Sequence, residues 1–122
     1  MSNGRINLGK RGEDISIEFL KKQGYKITER NYRCSLGEVD IIAKDKDVLC
    51  FVEVKTRKTE EYGLPEEAIG WHKQRKLARV ALAYLREKKI DKQDVRFDVV
   101  SVCGERIELI KDAFIVETDY TY

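Results

Sequence analysis

Asp40, Glu53 and Lys55 have the residue types and the spacing of a site for a hard metal ion. Glu53 and Lys55 share one face of a predicted strand, and Asp40 lies on the neighbouring predicted strand. Two close carboxylates repel each other, and a divalent cation is their usual neutraliser. Because His72 is the only histidine and the three cysteines form no Cys-x-x-Cys pair, we expect ligation by oxygen alone, which suits Mg²⁺ or Mn²⁺.

Lys55 is the member of this group that could take part in chemistry at a phosphate. Its ammonium could orient a water molecule for in-line attack, or stabilise the charge that develops on the phosphorane. The alternative is a salt-bridge cluster on the sheet surface, because an Asp…Glu-x-Lys pattern arises easily where 38% of the residues are charged. A link of even length at 45–47 would direct Asp40 and Glu53 to the same side of the sheet, and a three-residue loop to opposite sides.

Glu13 is an unexpected acid on the first predicted helix. At about 100° per residue it falls between Ile17 and Leu20 in the apolar arc, where it is the only charged residue. Burial of a carboxylate is unfavourable unless a partner or a cation compensates it, so Glu13 is a third candidate for the metal site. The alternative is a first-turn acid that interacts with the helix dipole, a role that Asp14 fills from the solvent side.

The hydrophobic periodicity predicts one α/β domain, with a mixed central sheet flanked by helices in the order αβββαββ. Gly9, Gly12 and Ser16 allow the first helix to approach the sheet closely, and Gly24 ends it. A single domain is expected over 1–122, with an ordered core at about 5–110 and an acidic tail at 111–122. The predicted helices are 8–23, 66–69 and 72–89, and the predicted strands are 25–33, 38–44, 48–56, 95–103 and 106–110.

The composition is that of a small, charge-rich globular chain, with 122 residues of which 42% are hydrophobic. The longest apolar run covers 48–52, far below the ~20 residues that a membrane span requires, and residues 1–5 lack the apolar region of a secretory signal. We therefore expect a cytoplasmic protein with no membrane partner. The odd number of cysteines disfavours a disulfide scaffold and a cysteine-ligated zinc site.

The predicted helix at 72–89 is strongly basic, although the net charge of the whole chain is only +2. Between 73 and 89 there are seven basic residues and one acid, which favours a polyanionic partner such as nucleic acid. A solvated helix face is the alternative for any such charge run. The candidate nucleic-acid-binding residues are Lys73, Arg75, Lys76 and Arg79, with Arg57 at the end of the Glu53 strand.

Two further side chains flank the start of this helix. Gln74 projects from the apolar arc and could turn toward the acidic residues, or it could be an exposed polar residue of the helix end. Trp71 is predicted to anchor the core beside the helix start, although Trp71 and Tyr62 could instead stack on bases.

Four motifs together resemble the YraN-like family of small bacterial proteins, which is assigned to the restriction-endonuclease-like, or PD-(D/E)XK, fold. They follow one another in order within about residues 5–110. They are Gly9-x-x-Gly12-Glu13, Gly37-Glu38-Val39-Asp40, Phe51-Val52-Glu53-Val54-Lys55-Thr56-Arg57 and the Lys73-Gln74 helix start. Val39 departs from the motif, whose name has a proline at that position.

The resemblance implies a role for each candidate residue. Asp40 and Glu53 would hold the metal with the Val54 carbonyl, and Glu13 would contribute through a water molecule. Lys55 would be the motif lysine, and Gln74 would occupy the place of a supporting glutamine. Compact relatives of this fold include the archaeal Holliday junction resolvases, which act as dimers on branched DNA, so the resemblance also implies a homodimer.

The leading hypothesis is a Mg²⁺-dependent endonuclease that acts on DNA or on structured nucleic acid. The second is a non-catalytic nucleic-acid-binding or accessory protein that keeps the fold and its acidic patch, because a nuclease fold does not prove cleavage. The third is a protein–protein adaptor with no nucleic-acid partner, in which the basic helix residues could be neutralised without consequence.

Overall fold

The chain folds into a mixed five-stranded sheet with one long helix on each face. The computed structural model describes residues 8–57 and 69–115. The helices are α1 (Leu8–Lys22) and α2 (Trp71–Glu87), and the strands are β1 (Lys26–Cys34), β2 (Gly37–Asp45), β3 (Val48–Arg57), β4 (Val95–Cys103) and β5 (Arg106–Ile110). This order confirms the predicted α/β architecture. Except for Ile69, the predicted short helix at 66–69 lies outside the described residues, as does the end of the acidic tail.

The strands lie in the order β1-β2-β3-β4-β5. The pairs β1–β2, β2–β3 and β4–β5 are antiparallel, and β3–β4 is parallel. A parallel pair needs a crossover connection, and α2 lies on the segment that makes it. No helix in the described part of the chain is long and apolar enough to cross a membrane.

The sheet separates two buried apolar clusters, because successive side chains of a strand point to opposite faces. Phe51 and Leu49 pack with the buried face of α2, whereas Cys50 and Val52 pack with α1. The α2 cluster also contains Val39, Ile42, Ile69, Leu77, Val80, Ala81, Tyr84, Leu85 and Val99, and the α1 cluster Ile17, Leu20, Tyr25, Ile41, Ala43, Val100 and Val102. The side of a residue on β3 therefore tells which helix it faces.

The α1 backbone approaches β3 closely, as its small residues predict. A Cβ atom added at Gly12 would overlap Thr56 Cγ2 and would lie 3.8 Å from Val54 Cγ1. Ser16, one turn further along α1, is fully buried. Gly24 ends the helix with a φ of +97°, a backbone conformation that favours glycine.

The link between β2 and β3 is a two-residue turn, which settles the direction of the acidic side chains. Asp45 pairs with Val48, so that only Lys46 and Asp47 form the turn. Lys46 adopts the left-handed conformation, with a φ of 58°. The even-length alternative is therefore confirmed. The pairing ends at Ile41 and Val52, so Asp40 and Glu53 lie directly beyond the last pair.

Two details differ from the sequence-based expectations. Val39 packs in the α2 cluster with Ile42, although strict alternation would place it with Ile41 and Ala43 on the α1 side. The alternation of β2 is therefore broken at Asp40. Trp71 is 62% exposed and does not anchor the core, because the first turn of α2 projects it away from the sheet.

A buried polar network ties β4 to the distant end of β2. Asp98 is fully buried and accepts hydrogen bonds from Tyr25 Oη at 2.7 Å and from Arg96 Nε at 2.8 Å. The Arg96 guanidinium also donates to Asp45 Oδ2 at 2.8 Å, and this hydrogen bond lowers the pKa of Asp45. The network satisfies the buried Asp98 charge, so Asp98 contributes to the fold rather than to the candidate site.

Candidate active site

The candidate site lies where β2 turns away from β3. Strand β2 remains paired with β1 as far as Gly37, but its pairing with β3 extends only from Asp45 to Ile41. Asp40 is the first residue beyond this fork. Its Oδ2 accepts a hydrogen bond from the Val54 backbone N–H at 2.8 Å, so that the carboxylate takes the place of a strand partner. This bond holds Asp40 beside the segment that carries the second candidate ligand.

Asp40 and Glu53 form a close carboxyl pair at the fork. Glu53 is only 5% exposed, and the charge of the Asp40 carboxyl group acts on it. Burial, and then the neighbouring charge of Asp40, raises the pKa of Glu53 from 4.5 to about 7. A positive charge beside the two carboxyl groups would therefore stabilise their ionised forms.

Lys73 supplies a positive charge to this pair. Its Nζ lies 2.8 Å from Glu53 Oε2, and the hydrogen bond with Glu53 raises the pKa of Lys73. The first turn of α2 carries Lys73 to the fork, while 45% of the Lys73 side chain remains exposed. The sequence predicts Lys73 as a phosphate-binding residue. It does not predict the contact with Glu53, for which the only indication is that Lys73 is next to Gln74.

Gln74 lies at the same helix start but bonds elsewhere. Its Nε2 donates to the backbone carbonyl of Ile69 at 2.8 Å, and the side chain is half-buried. Gln74 is therefore neither the exposed residue of the alternative interpretation nor, in this structure, a hydrogen-bond partner of Asp40 or Glu53. It fixes the chain that enters α2, and thereby the position of Lys73.

Glu13 faces the fork from α1. Its side chain is 18% exposed, and its carboxylate lies 3.8 Å from Arg30 Nε and accepts a hydrogen bond from Asn31. Burial and then the charge of Asp40 raise the pKa of Glu13. In the described helix Glu13 lies beyond the first turn, which weakens the helix-dipole interpretation. Asp14 instead forms an ion pair with Arg30 on the solvent side.

Lys55 shares the β3 face of Glu53. Val54 and Thr56 approach Gly12 of α1, so the alternating side chains of Glu53 and Lys55 point toward the opposite face. Lys55 is half-buried and pairs with Ser101 of β4 in the strand register. Within residues 8–57 and 69–115 it forms no ion pair, so its ammonium is not committed to a described carboxylate.

The chemistry of these donors suits a hard divalent cation. Mg²⁺ commonly binds one or two protein carboxylates and completes its coordination with water and phosphate oxygens. Asp40 and Glu53 could supply two such carboxylates, and the Val54 carbonyl lies on the same short stretch of β3. Among the described residues no group of three acidic, cysteine or histidine side chains is arranged to hold a metal, so Glu13 does not complete a three-carboxylate cage.

The predicted basic residues divide between two places. A cavity of about 420 Å³ between the β1–β2 turn and α2 is lined by Arg33, Lys73 and Lys76, among others, and adjoins the carboxyl pair through Lys73. Arg75 and Arg79 lie on the same helix but do not line this cavity, and Arg75 stacks on Trp71. Arg57 lies apart from this group, because it lines a different cavity beside Gly12 and Ile15 of α1.

The comparison with known proteins identifies the family. Residues 12–102 match the model of the uncharacterised protein family UPF0102. The chain belongs to this family. UPF0102 is the YraN family, so the resemblance carried by the four motifs is confirmed, and the helix-flanked mixed sheet is consistent with the restriction-endonuclease-like superfamily.

Relatives similar to this UPF0102 chain match it over nearly its whole length. A UPF0102 protein of Syntrophus aciditrophicus is 50% identical over 113 residues, which cover 89% of each chain. One of Desulfosudis oleivorans is 52% identical over 116 residues, covering 93% of this chain and 94% of the relative. One of Caldicellulosiruptor saccharolyticus is 50% identical over 113 residues, covering 88% and 96%.

Proposed function

We propose that this UPF0102 protein is a metal-dependent nuclease that cleaves phosphodiester bonds in DNA or in structured nucleic acid. The observation that carries the proposal is the buried Glu53 carboxyl group beside the partly buried carboxyl group of Asp40, at the fork between β2 and β3. A salt bridge to Lys73 uses only one of the two acids, whereas a divalent cation can be shared by two neighbouring carboxylates. The adjacent cavity is lined by Arg33, Lys73 and Lys76 together with Glu38, and its net positive charge favours a polyanionic substrate.

Each site residue has a distinct role in this proposal. Asp40 and Glu53 would hold Mg²⁺ or Mn²⁺ with the Val54 carbonyl, and Glu13 would act through a water molecule. When bound, the metal would supply Lewis-acid stabilisation of charge at the phosphate. Lys55 orients the attacking water from the same β3 face, and Lys73 and Lys76 hold the phosphates that flank the scissile bond.

One observation favours a second candidate function, that of a non-catalytic nucleic-acid-binding or accessory protein. Lys73 already places an ammonium 2.8 Å from Glu53, so the protein itself supplies a counter-ion to the acidic pair. In such a protein the fork would be a structural ion pair, and the basic helix would keep its affinity for nucleic acid without metal.

Cleavage assays with a matched carboxylate variant distinguish the two functions. The full chain, freed of metal with EDTA, is incubated with junction, flap, single-stranded and duplex DNA, with and without Mg²⁺ or Mn²⁺. The nuclease proposal expects metal-dependent cleavage of at least one substrate by the wild type, and none by Asp40→Asn. Calorimetric titration of the same two proteins with Mn²⁺ measures binding independently of substrate choice.

The outcomes separate cleanly. The nuclease proposal is supported if the wild type binds Mn²⁺ and cleaves DNA, whereas Asp40→Asn does neither. Retention of DNA by both proteins, with no Mn²⁺ binding and no cleavage, overturns it in favour of the accessory function. If DNA binding does not weaken as the salt concentration rises, nucleic acid is not the partner of this protein.

A further inference from the structure

Trp71 is a large aromatic side chain that the fold leaves in solvent. It is 62% exposed at the first position of α2, and it is the only tryptophan of the chain. Burial of a large apolar surface is favourable, so a ligand or partner that covers the exposed Trp71 ring would gain binding free energy.

The neighbours of Trp71 give the exposed ring a cationic setting. The Arg75 guanidinium lies 5.0 Å from the centre of the indole ring, one helical turn away, and His72 contacts the ring edge-on with centroids 4.9 Å apart. An apolar protein partner would have to desolvate these groups. A nucleobase beside its own phosphate matches both the aromatic surface and the positive charge.

Trp71 begins the helix whose first turn reaches the candidate site. One residue, His72, separates it from Lys73, which contacts Glu53, and Lys76 lines the same cavity as Lys73. Gly37 of the β1–β2 turn comes close to Lys76, because a Cβ atom added there would lie 3.2 Å from the lysine stem. A strand whose phosphates follow Lys73 and Lys76 would therefore pass the first turn of α2.

We propose that Trp71 and Arg75 form a stacking platform for an unpaired nucleobase. The inference deepens the proposed function and rests on its nucleic-acid partner, because it assigns the substrate class: nucleic acid with a single-stranded segment beside the cleavage site. Base–aromatic stacking is independent of base identity, so the platform reads the absence of pairing rather than a sequence. A fully paired duplex presents no free base face to it.

The single tryptophan makes the test direct. Intrinsic fluorescence of the full chain is followed in EDTA, where no cleavage occurs, during titration with a short oligothymidylate. The comparison ligands are an abasic strand of the same length and charge and a closed dumbbell duplex without free ends. We expect quenching by the oligothymidylate and little change with the abasic strand or the dumbbell at equal saturation.

Variants supply the quantitative arm. Trp71→Ala is expected to weaken oligothymidylate binding by about 5- to 100-fold, as loss of one base stack predicts, and dumbbell binding by less than about twofold. Arg75→Ala should weaken oligothymidylate binding more than Arg86→Ala, which removes the same charge from the last turn of the same helix. Fluorescence anisotropy of labelled ligands measures these affinities.

Several results would overturn the platform. If the abasic strand quenches the Trp71 fluorescence as much as the oligothymidylate does, the ring responds to the phosphates and not to a stacked base. Unchanged affinity of Trp71→Ala, or fluorescence that depends on protein concentration without nucleic acid, assigns the ring to another role or to a second copy of the chain. Failure of the nuclease proposal looks different, because base-dependent quenching would persist while cleavage with Mg²⁺ and Mn²⁺ is absent.

Discussion

Lys73 Nζ lies 2.8 Å from Glu53 Oε2, so a lysine of α2 binds the same carboxylate that the nuclease proposal assigns to a metal ion. An ammonium and a divalent cation compete for one buried carboxyl group, and each relieves the repulsion between Glu53 and Asp40. The contact therefore links the stability of the fold to the occupancy of the site.

Lys73→Met is expected to destabilise the metal-free protein by about 1–2 kcal/mol, because it leaves the Glu53 charge buried beside Asp40. The loss stays below that of a fully buried ion pair, since the Lys73 side chain is 45% exposed. Urea unfolding in EDTA measures it. The double variant Lys73→Met/Glu53→Gln should recover most of the stability, and an equal loss in the Glu53→Gln background would refute the pairing.

The raised pKa of Glu53 predicts a pH dependence of stability. Because the pKa in the folded protein is about 7 and the ordinary value is 4.5, the folded state holds this proton more tightly than the unfolded chain. The stabilising contribution is full below the ordinary pKa and is lost as the pH rises through the folded pKa. In EDTA, the Tm of the wild type relative to Glu53→Gln should fall between pH 4.5 and 7 and then level off. Parallel Tm curves for the two proteins would contradict this prediction.

Lys55→Ala tests the proposed role of the motif lysine. We expect cleavage to fall by about 10²-fold or more, because the variant removes the group that orients water or stabilises the phosphorane. DNA affinity should change by less than about twofold and the unfolding free energy by less than about 0.5 kcal/mol, since Lys55 forms no ion pair with a described residue. Lys26→Ala, an exposed lysine of β1, is the matched control. Equal loss of activity, binding and stability would make Lys55 a structural residue.

Much of this architecture could be predicted because local patterns decide it. The β-branched residues along 95–103 predict β4 with its observed bounds, and Gly24 ends α1 as its position predicts. The shared side of Asp40 and Glu53 required a turn of even length, because one extra residue would have reversed it. The sequence could state both alternatives but could not choose between them. The break in the alternation of β2 at Asp40 had no signal in the sequence.

The remaining features depend on contacts between distant segments. Asp98 finds its partner Tyr25 across 73 positions of sequence, and no periodicity marks that pair. Whether Lys73 reaches Glu53 depends on the rotation of α2 about its axis. The sequence pattern fixes the start of the helix only to within a residue or so, and therefore leaves this rotation open. The same rotation places Trp71 in solvent and makes its predicted core position wrong.

Gly12→Ala distinguishes close packing from simple backbone flexibility. In a helix interior alanine is ordinarily favoured over glycine by about 0.5–1 kcal/mol, so an uncrowded site would gain stability. At Gly12 the added Cβ would overlap Thr56 Cγ2, and the adjustment of α1 against β3 should give a net destabilisation of about 1–3 kcal/mol. Thr56→Ser removes that methyl group, so the double variant should regain most of the loss relative to Thr56→Ser alone. Urea unfolding of the four proteins measures the coupling.

Because Glu13 follows Gly12 directly, the same shift of α1 would also move Glu13 relative to Asp40. Any cleavage activity should therefore fall in Gly12→Ala together with stability, and return in the double variant.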